Sequence, residues 1–148
     1  MTTRSQWHEI ELPATPVAVF NLLISPKAIR GRWGSVSAVA TELDDLWVIA
    51  WGERENDPNY VAGARIRAFE SPRRVALAYE YCRAKTGQLP YGAGMTAEFT
   101  IQKTPVGALL RVTHAGIPED ANAYFDSAGE GWRALLQGVA TVLAPKPR

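Results

Sequence analysis

Histidine and cysteine are nearly absent from the sequence. Its 148 residues hold two histidines, His8 and His114, and one cysteine, Cys82. A lone cysteine closes no internal disulfide and builds no multi-cysteine metal site. Two histidines exclude a histidine-rich metal centre. No excess charge of either sign is present: 16 Lys and Arg face 15 Asp and Glu, for a net +1. A nucleic-acid binder needs a clustered basic face to collect phosphates. The nearest candidates, Arg30/Arg32 and Arg73/Arg74, are pairs only and read as solvated edges. No apolar run approaches the roughly 18 residues of a membrane span. The stretch from Met1 to His8 lacks the apolar core of a signal peptide. A cytoplasmic protein with no cofactor, metal or nucleic-acid partner is expected.

Catalytic signatures are scarce as well. Gly92–Ala97 and Gly129–Ala134 both fit G-x-G-x-x-A, but neither sits in the strand, tight turn and helix order that dinucleotide phosphates require. There is no Walker-type lysine loop, no H-E-x-x-H and no nucleophile elbow. The acid pairs Asp44/Asp45 and Glu53/Glu55 are adjacent or on turns and carry no glycosidase role.

What is present is a globular composition, 47% hydrophobic and 21% charged, over a length that reads as one domain, residues 1–148. Such a chain buries roughly 70% of its unfolded surface without a metal or disulfide staple. From Trp7 to Leu12, polar and apolar residues alternate as in a strand, with His8, Ile10 and Leu12 on one side. Thr15-Pro16 and Ser25-Pro26 each set a capping hydroxyl before a first-turn proline. They predict short helices over Val17–Ile24 and Lys27–Trp33. Six β-branched, aromatic or alternating runs follow: Val36–Thr41, Leu46–Trp51, Tyr60–Phe69, Val75–Tyr81, Met95–Ile101 and Leu109–His114. Turn-rich clusters separate them. The Gly-rich stretch Arg83–Gly94 reads as a mobile loop.

Helical spacing returns at the end. Ala121, Tyr124/Phe125, Ala128, Trp132, Leu135/Leu136, Val139 and Val142/Leu143 paint one apolar stripe that Pro145 terminates. Gly129, Gly131 and Gly138 each weaken the helix by about 1 kcal/mol, so its regular part is expected from Ser127. The order predicts an α+β helix-grip fold: a curved antiparallel sheet of about seven strands around a long C-terminal helix, with two short helices after strand one. A bent sheet does not meet a straight helix along its whole length, so a cavity between them is expected.

Candidate site residues are those on the inner face. Period two puts His114 with Leu110 and Val112, Tyr79 and Tyr81 with Val75 and Leu77, and Phe99 with Met95, Ala97 and Ile101. Trp132 lies in the helix stripe and Trp33 near the opening. Trp33, Tyr79, Tyr81, Phe99, Val112, His114 and Trp132 form the expected lining of a site for a small apolar or amphipathic molecule. Plain core packing is the competing reading for each, and for His114 a packed histidine with one backbone partner. An enzyme using His114 as general acid/base is the alternative, although no orienting carboxylate shares its face. Trp47 and Trp51, flanking Val48, mark a strand apolar on both faces. They raise a third reading, homodimerisation or a chaperone contact through an exposed patch.

Several motifs resemble one family. Ala68–Tyr79 is similar to the E-x-P-x-R-hydrophobic hairpin of the proteins like the activator of heat-shock-protein-ninety ATPase. Leu110–Pro118 resembles their L-x-L-x-H-x-G-hydrophobic-P run. Gly131-Trp132 with Leu135, Leu136 and Leu143 resembles their terminal helix, and Pro13–Trp33 their start. The family belongs to the SRPBCC superfamily, with START lipid-transfer domains and the birch-pollen allergens. Many members carry a Gly-Gly pair where Leu43–Gly52 has Trp47 and Trp51. The resemblance implies a helix-grip fold with a ligand cavity. It does not imply one function, since members transport lipids, cyclise polyketides, bind hormones or assist chaperones.

Overall fold

Alternation along the chain becomes a single antiparallel sheet closed by one long helix. The computed structural model describes residues 2–24, 36–38, 46–51 and 60–143, with 36–38, 46–51 and 60 described by their backbone. The elements are β1 (Thr3–Leu12), α1 (Pro16–Leu23), β2 (Val36–Ala38), β3 (Leu46–Trp51), β4 (Tyr60–Glu70), β5 (Arg74–Ala84), β6 (Gly87–Gly92), β7 (Thr96–Thr104), β8 (Gly107–Pro118) and α2 (Asn122–Leu143). The strands run in the order β1-β8-β7-β5-β4-β3-β2, with β6 pairing separately with β5. The predicted helix Lys27–Trp33 lies outside the described residues, as do the side chains of Trp33, Trp47 and Trp51. Among the described residues no helix is long and apolar enough to cross a membrane.

Local rules account for the first elements. The Thr15 hydroxyl accepts the Ala18 N–H at 3.2 Å, and Pro16 takes the first helical position. Val19, Phe20 and Leu23 are the buried face of α1. On β1, Trp7 is 57% exposed whereas Leu12 is buried, as the alternation requires.

The Arg83–Gly94 expectation is corrected. β6 folds back onto β5, pairing Arg83 with Gln88 and Ala84 with Gly87. Its Pro90 and flanking glycines suit an edge strand and erase the alternation by which strands are recognised. The helix start is corrected too. α2 begins at Asn122, because packing offsets the glycine penalty. Gly129 is buried, and a Cβ there would stand 2.8 Å from the Gln6 side-chain oxygen.

Bulges interrupt the inner face at two places that matter for the site. Ala64 pairs with Tyr79 but Gly63 with Tyr81, so Glu80 is the extra residue of a bulge. Beyond it the inward position passes to Cys82, which is fully buried. In β8 the register against β1 slips between His114 and Ile117. Gly116 there has φ +76°, and a Cβ on it would stand 2.4 Å from the Gly94 carbonyl oxygen. Only glycine fits such a position without strain.

The dry core lies between the sheet and the C-terminal half of α2, with α1 at its end. It is built from Leu12, Phe20, Ile66, Phe99, Leu110 and Leu135 with their neighbours. Phe20 meets Phe69 edge-on, at 5.2 Å between ring centroids. On the outer face, charges pair across strands: Arg65 with Glu80, Arg74 with Glu98 and Arg111 with Glu9. Exposed pairs of this kind contribute little each.

Candidate functional site

As far as Ala134, α2 carries small residues on the side that leads on to Leu135, Leu136 and Val139. Ala123, Ser127, Gly131 and Ala134 recur every three or four residues, and next to them runs the aromatic edge Tyr124 and Trp132. Opposite stand Tyr79 of β5 and Tyr91 of β6. Between these walls is a cavity of about 700 Å³. Its described lining is mostly apolar and aromatic, with Glu130 as the charged side chain and Ser127 as a further polar one. The volume lies within the range of small-molecule sites, about 300–1,000 Å³.

His114 lies behind this wall, fully buried. It pairs across the sheet with Ala97, whose small side chain leaves space for the imidazole. Its Nδ1 is 3.0 Å from the Thr96 carbonyl oxygen and its Nε2 is 3.1 Å from the Tyr124 hydroxyl. A carbonyl only accepts, so Nδ1 carries the proton and donates. In the neutral ring Nε2 is then an acceptor, and the Tyr124 O–H donates to it. Burial pushes the His114 pKa down to about 4, against a smaller upward pull from the Thr96 bond. The ring is therefore neutral at physiological pH. Rings surround it: Tyr79 at 5.2 Å, Trp132 at 5.6 Å and Tyr124 at 5.9 Å between centroids. Tyr91 extends this cluster, 4.4 Å from Tyr124. Burial raises the Tyr79 phenol well above its ordinary pKa, with a further push from Tyr124, and raises Tyr91 as well. Both phenols stay protonated.

A second polar knot ties α2 to β1. The Gln6 amide donates to the Phe125 carbonyl at 2.9 Å, and His8 Nε2 lies 2.6 Å from the Gln6 oxygen. Burial, with the charge of Arg133, lowers the His8 pKa. This knot fixes the start of the helix against the sheet edge. Among the described residues no three His, Cys, Asp or Glu side chains gather as a metal site.

Residues 13–144 match the sequence profile of the activator of Hsp90 ATPase homolog 1-like proteins. The chain belongs to this family. Solved structures agree in fold. Protein MLL2253 of Mesorhizobium loti superposes with a TM-score of 0.77 at 20% identity, over 95% of this chain and 96% of that one. The Aha1 dimer of Colwellia psychrerythraea gives 0.74 at 14% identity, over 97% and 96%. DynU16, from the dynemicin biosynthetic locus, gives 0.73 at 13% identity, over 94% of this chain and 46% of its own. A comparison with curated proteins finds no sequence match.

Within this helix-grip member of the family, the expected lining divides. Tyr79 and Trp132 line the cavity. Phe99 and Val112 are fully buried in the dry core and do not. Phe99 instead supports Trp132 edge-on at 5.7 Å. His114 is one layer back, reaching the cavity wall through Tyr124. Tyr81 is the clearest correction: the bulge at Glu80 turns it to the outer face. There its ring lies over Gly63, with the Arg83 guanidinium 4.9 Å above it. Trp33 lies outside the described residues. Sequence reasoning missed Tyr91, hidden in the segment read as a loop, and the small-residue stripe of α2. That stripe was visible as a run of Ala, Ser and Gly beside the apolar one.

Proposed function

We propose that the protein is a binding module for a small, largely apolar molecule held in the cavity between α2 and strands β5 and β6. The observation that carries this reading is the cavity itself, about 700 Å³ and walled by Tyr79, Tyr91, Tyr124 and Trp132. Aromatic walls with a few polar groups are the usual chemistry of such sites. Membership of a superfamily with ligand-binding members agrees with it.

Binding is favoured over catalysis by the state of His114. Both ring nitrogens are engaged, the ring is buried, and its pKa of about 4 lies far from the working range of a general base at neutral pH. Native mass spectrometry of gently purified protein tests the reading. A mass increment that disappears on denaturation is expected. Protein that is always bare, and unresponsive to a library of apolar and amphipathic molecules, would refute it.

A second reading concerns assembly. The Colwellia relative is described as a dimer, and here Trp7 stands 57% exposed on the edge strand β1. A homodimer through this edge is the proposal. Sedimentation should give twice the chain mass for the wild type and the single mass for Trp7→Glu, whereas a wild-type monomer at all concentrations would refute it.

A further inference from the structure

Three tyrosines meet at one end of the cavity, and their hydroxyls are not equivalent. Tyr79, Tyr91 and Tyr124 line the space, and all three pack against the cluster of Ala62, Cys82, Met95 and Ile117. The Tyr124 hydrogen is already used, since it goes to His114 Nε2. Among the described residues the hydroxyls of Tyr79 and Tyr91 have no hydrogen-bond partner. Tyr91 belongs to the edge strand β6, whereas Tyr79 is fixed inside the sheet. Its N–H donates to the Met95 carbonyl at 2.9 Å, and its ring centroid lies 5.2 Å from that of His114. The side chain is half-buried and forms part of the cavity wall. Loss of hydration is the main cause of the upward push on its phenol, so bulk water reaches it poorly. Phenylalanine would pack in this place as well. A desolvated O–H that the fold leaves unpaired, on the wall of a cavity, calls for a partner from what the cavity holds.

We infer that Tyr79 is the polar anchor of the site, its O–H donating to an acceptor oxygen on an otherwise apolar molecule. This rests on the binding reading above and adds the feature by which the ligand is chosen: a carbonyl, ether or hydroxyl oxygen in place of a bare hydrocarbon. Selection comes from the penalty on the wrong ligand. A hydrocarbon displaces water from Tyr79 and strands its hydrogen, whereas an acceptor oxygen takes the place of that water. A ketone and an alcohol of equal shape both satisfy the anchor, so it discriminates against hydrocarbons alone.

Two probes that differ by one group separate the claims: butyrophenone, and n-butylbenzene with a methylene where the ketone has its carbonyl. Both are titrated by calorimetry against the wild type and Tyr79→Phe. The ketone is the better hydrated in water, yet it should bind the wild type at least as tightly as the hydrocarbon. Tyr79→Phe should weaken butyrophenone about ten-fold and butylbenzene much less. Without ligand, the thermal midpoint of Tyr79→Phe should stay near that of the wild type, because no bond within the fold is lost. A merely structural tyrosine would lower the midpoint and weaken both probes alike. The infrared carbonyl band of bound butyrophenone should lie at lower frequency in the wild type than in the variant, as a carbonyl that accepts a hydrogen bond does. Equal losses for the two probes, or the same carbonyl band in both proteins, would overturn the anchor while leaving the binding module intact. Failure of both probes to bind the wild type would overturn the anchor and the binding reading together.

Discussion

The two halves of α2 face the same sheet and do opposite things. From Leu135 onward, Leu135, Leu136 and Val139 are buried in one apolar cluster with Phe99, Leu110 and Val112. Before that, as far as Ala134, the small residues Ala123, Ser127, Ala128 and Ala134 line the space that Tyr79 and Tyr91 border from the sheet side. The polar atoms follow the same division: among the described residues the buried polar side chain is His114, which the open half brings together with Tyr124 and Tyr79. Packing density is a choice made residue by residue along one helix. The place where large aliphatic side chains give way to small ones is where a second molecule fits. Trp132 stands at the boundary, with Phe99 on one side and His114 on the other.

The comparison can be broken most violently at the dry end. Phe99→Ala removes a fully buried ring and the support of Trp132, and should cost about 3–5 kcal/mol in chemical denaturation. A loss under 1 kcal/mol would mean that this half is as loosely packed as the other.

Acid probes the boundary next. The His114 pKa is about 4 folded against 6.5 unfolded, so the unfolded chain binds more protons between those values. Stability is then full above about pH 6.5, falls as pH drops, and stops falling from this source below about pH 4. The loss amounts to about 3 kcal/mol. His8, also lowered, adds to it with the same sign. His114→Phe should flatten most of that slope. It should also lower stability at neutral pH by about 1–3 kcal/mol, because the Thr96 carbonyl and the Tyr124 hydroxyl lose their partner. Urea titrations of both proteins at several pH values check this, and an unchanged slope in the variant would assign the acid sensitivity elsewhere.

A matched pair of enlargements gives the finest contrast. Ala108→Leu, at a fully buried site, overpacks the core and should cost about 1–3 kcal/mol. Ala134→Leu, on the exposed cavity wall, should stay within about 0.5 kcal/mol. Equal effects on thermal stability would erase the distinction between the two halves.

Most of this fold was legible in the sequence because alternation and helical spacing are local signals. Seven of the strands announce themselves by period two or by β-branched runs, and Thr15-Pro16 announces α1. The failures share one cause, which is geometry that depends on a partner. β6 is bounded by Gly87 and Gly92 and carries Pro90, a turn-like composition, and exists because β5 offers it an edge. Tyr81 was given the wrong face because the bulge at Glu80 comes from the pairing of β4 with β5 and leaves no mark in the strand's own composition. The inward position of His114 was readable, but its bond to Tyr124 was not. That bond depends on how α2 slides along β8, a register that periodicity does not encode. The aromatic wall was accordingly half visible: Tyr79 and Trp132 by their faces, Tyr91 not at all.

The central claim, that the open half of α2 receives a small apolar molecule while the other half is closed, can be read from alanine methyl groups. Ala123, Ala128 and Ala134 line the cavity, and Ala108 is buried in the dry core. In ¹³C-methyl-alanine protein titrated with decanol, the three cavity methyls should shift together and saturate, with Ala108 unmoved. Shifts centred on Ala108, or none at any of the four up to the solubility limit, would contradict the account.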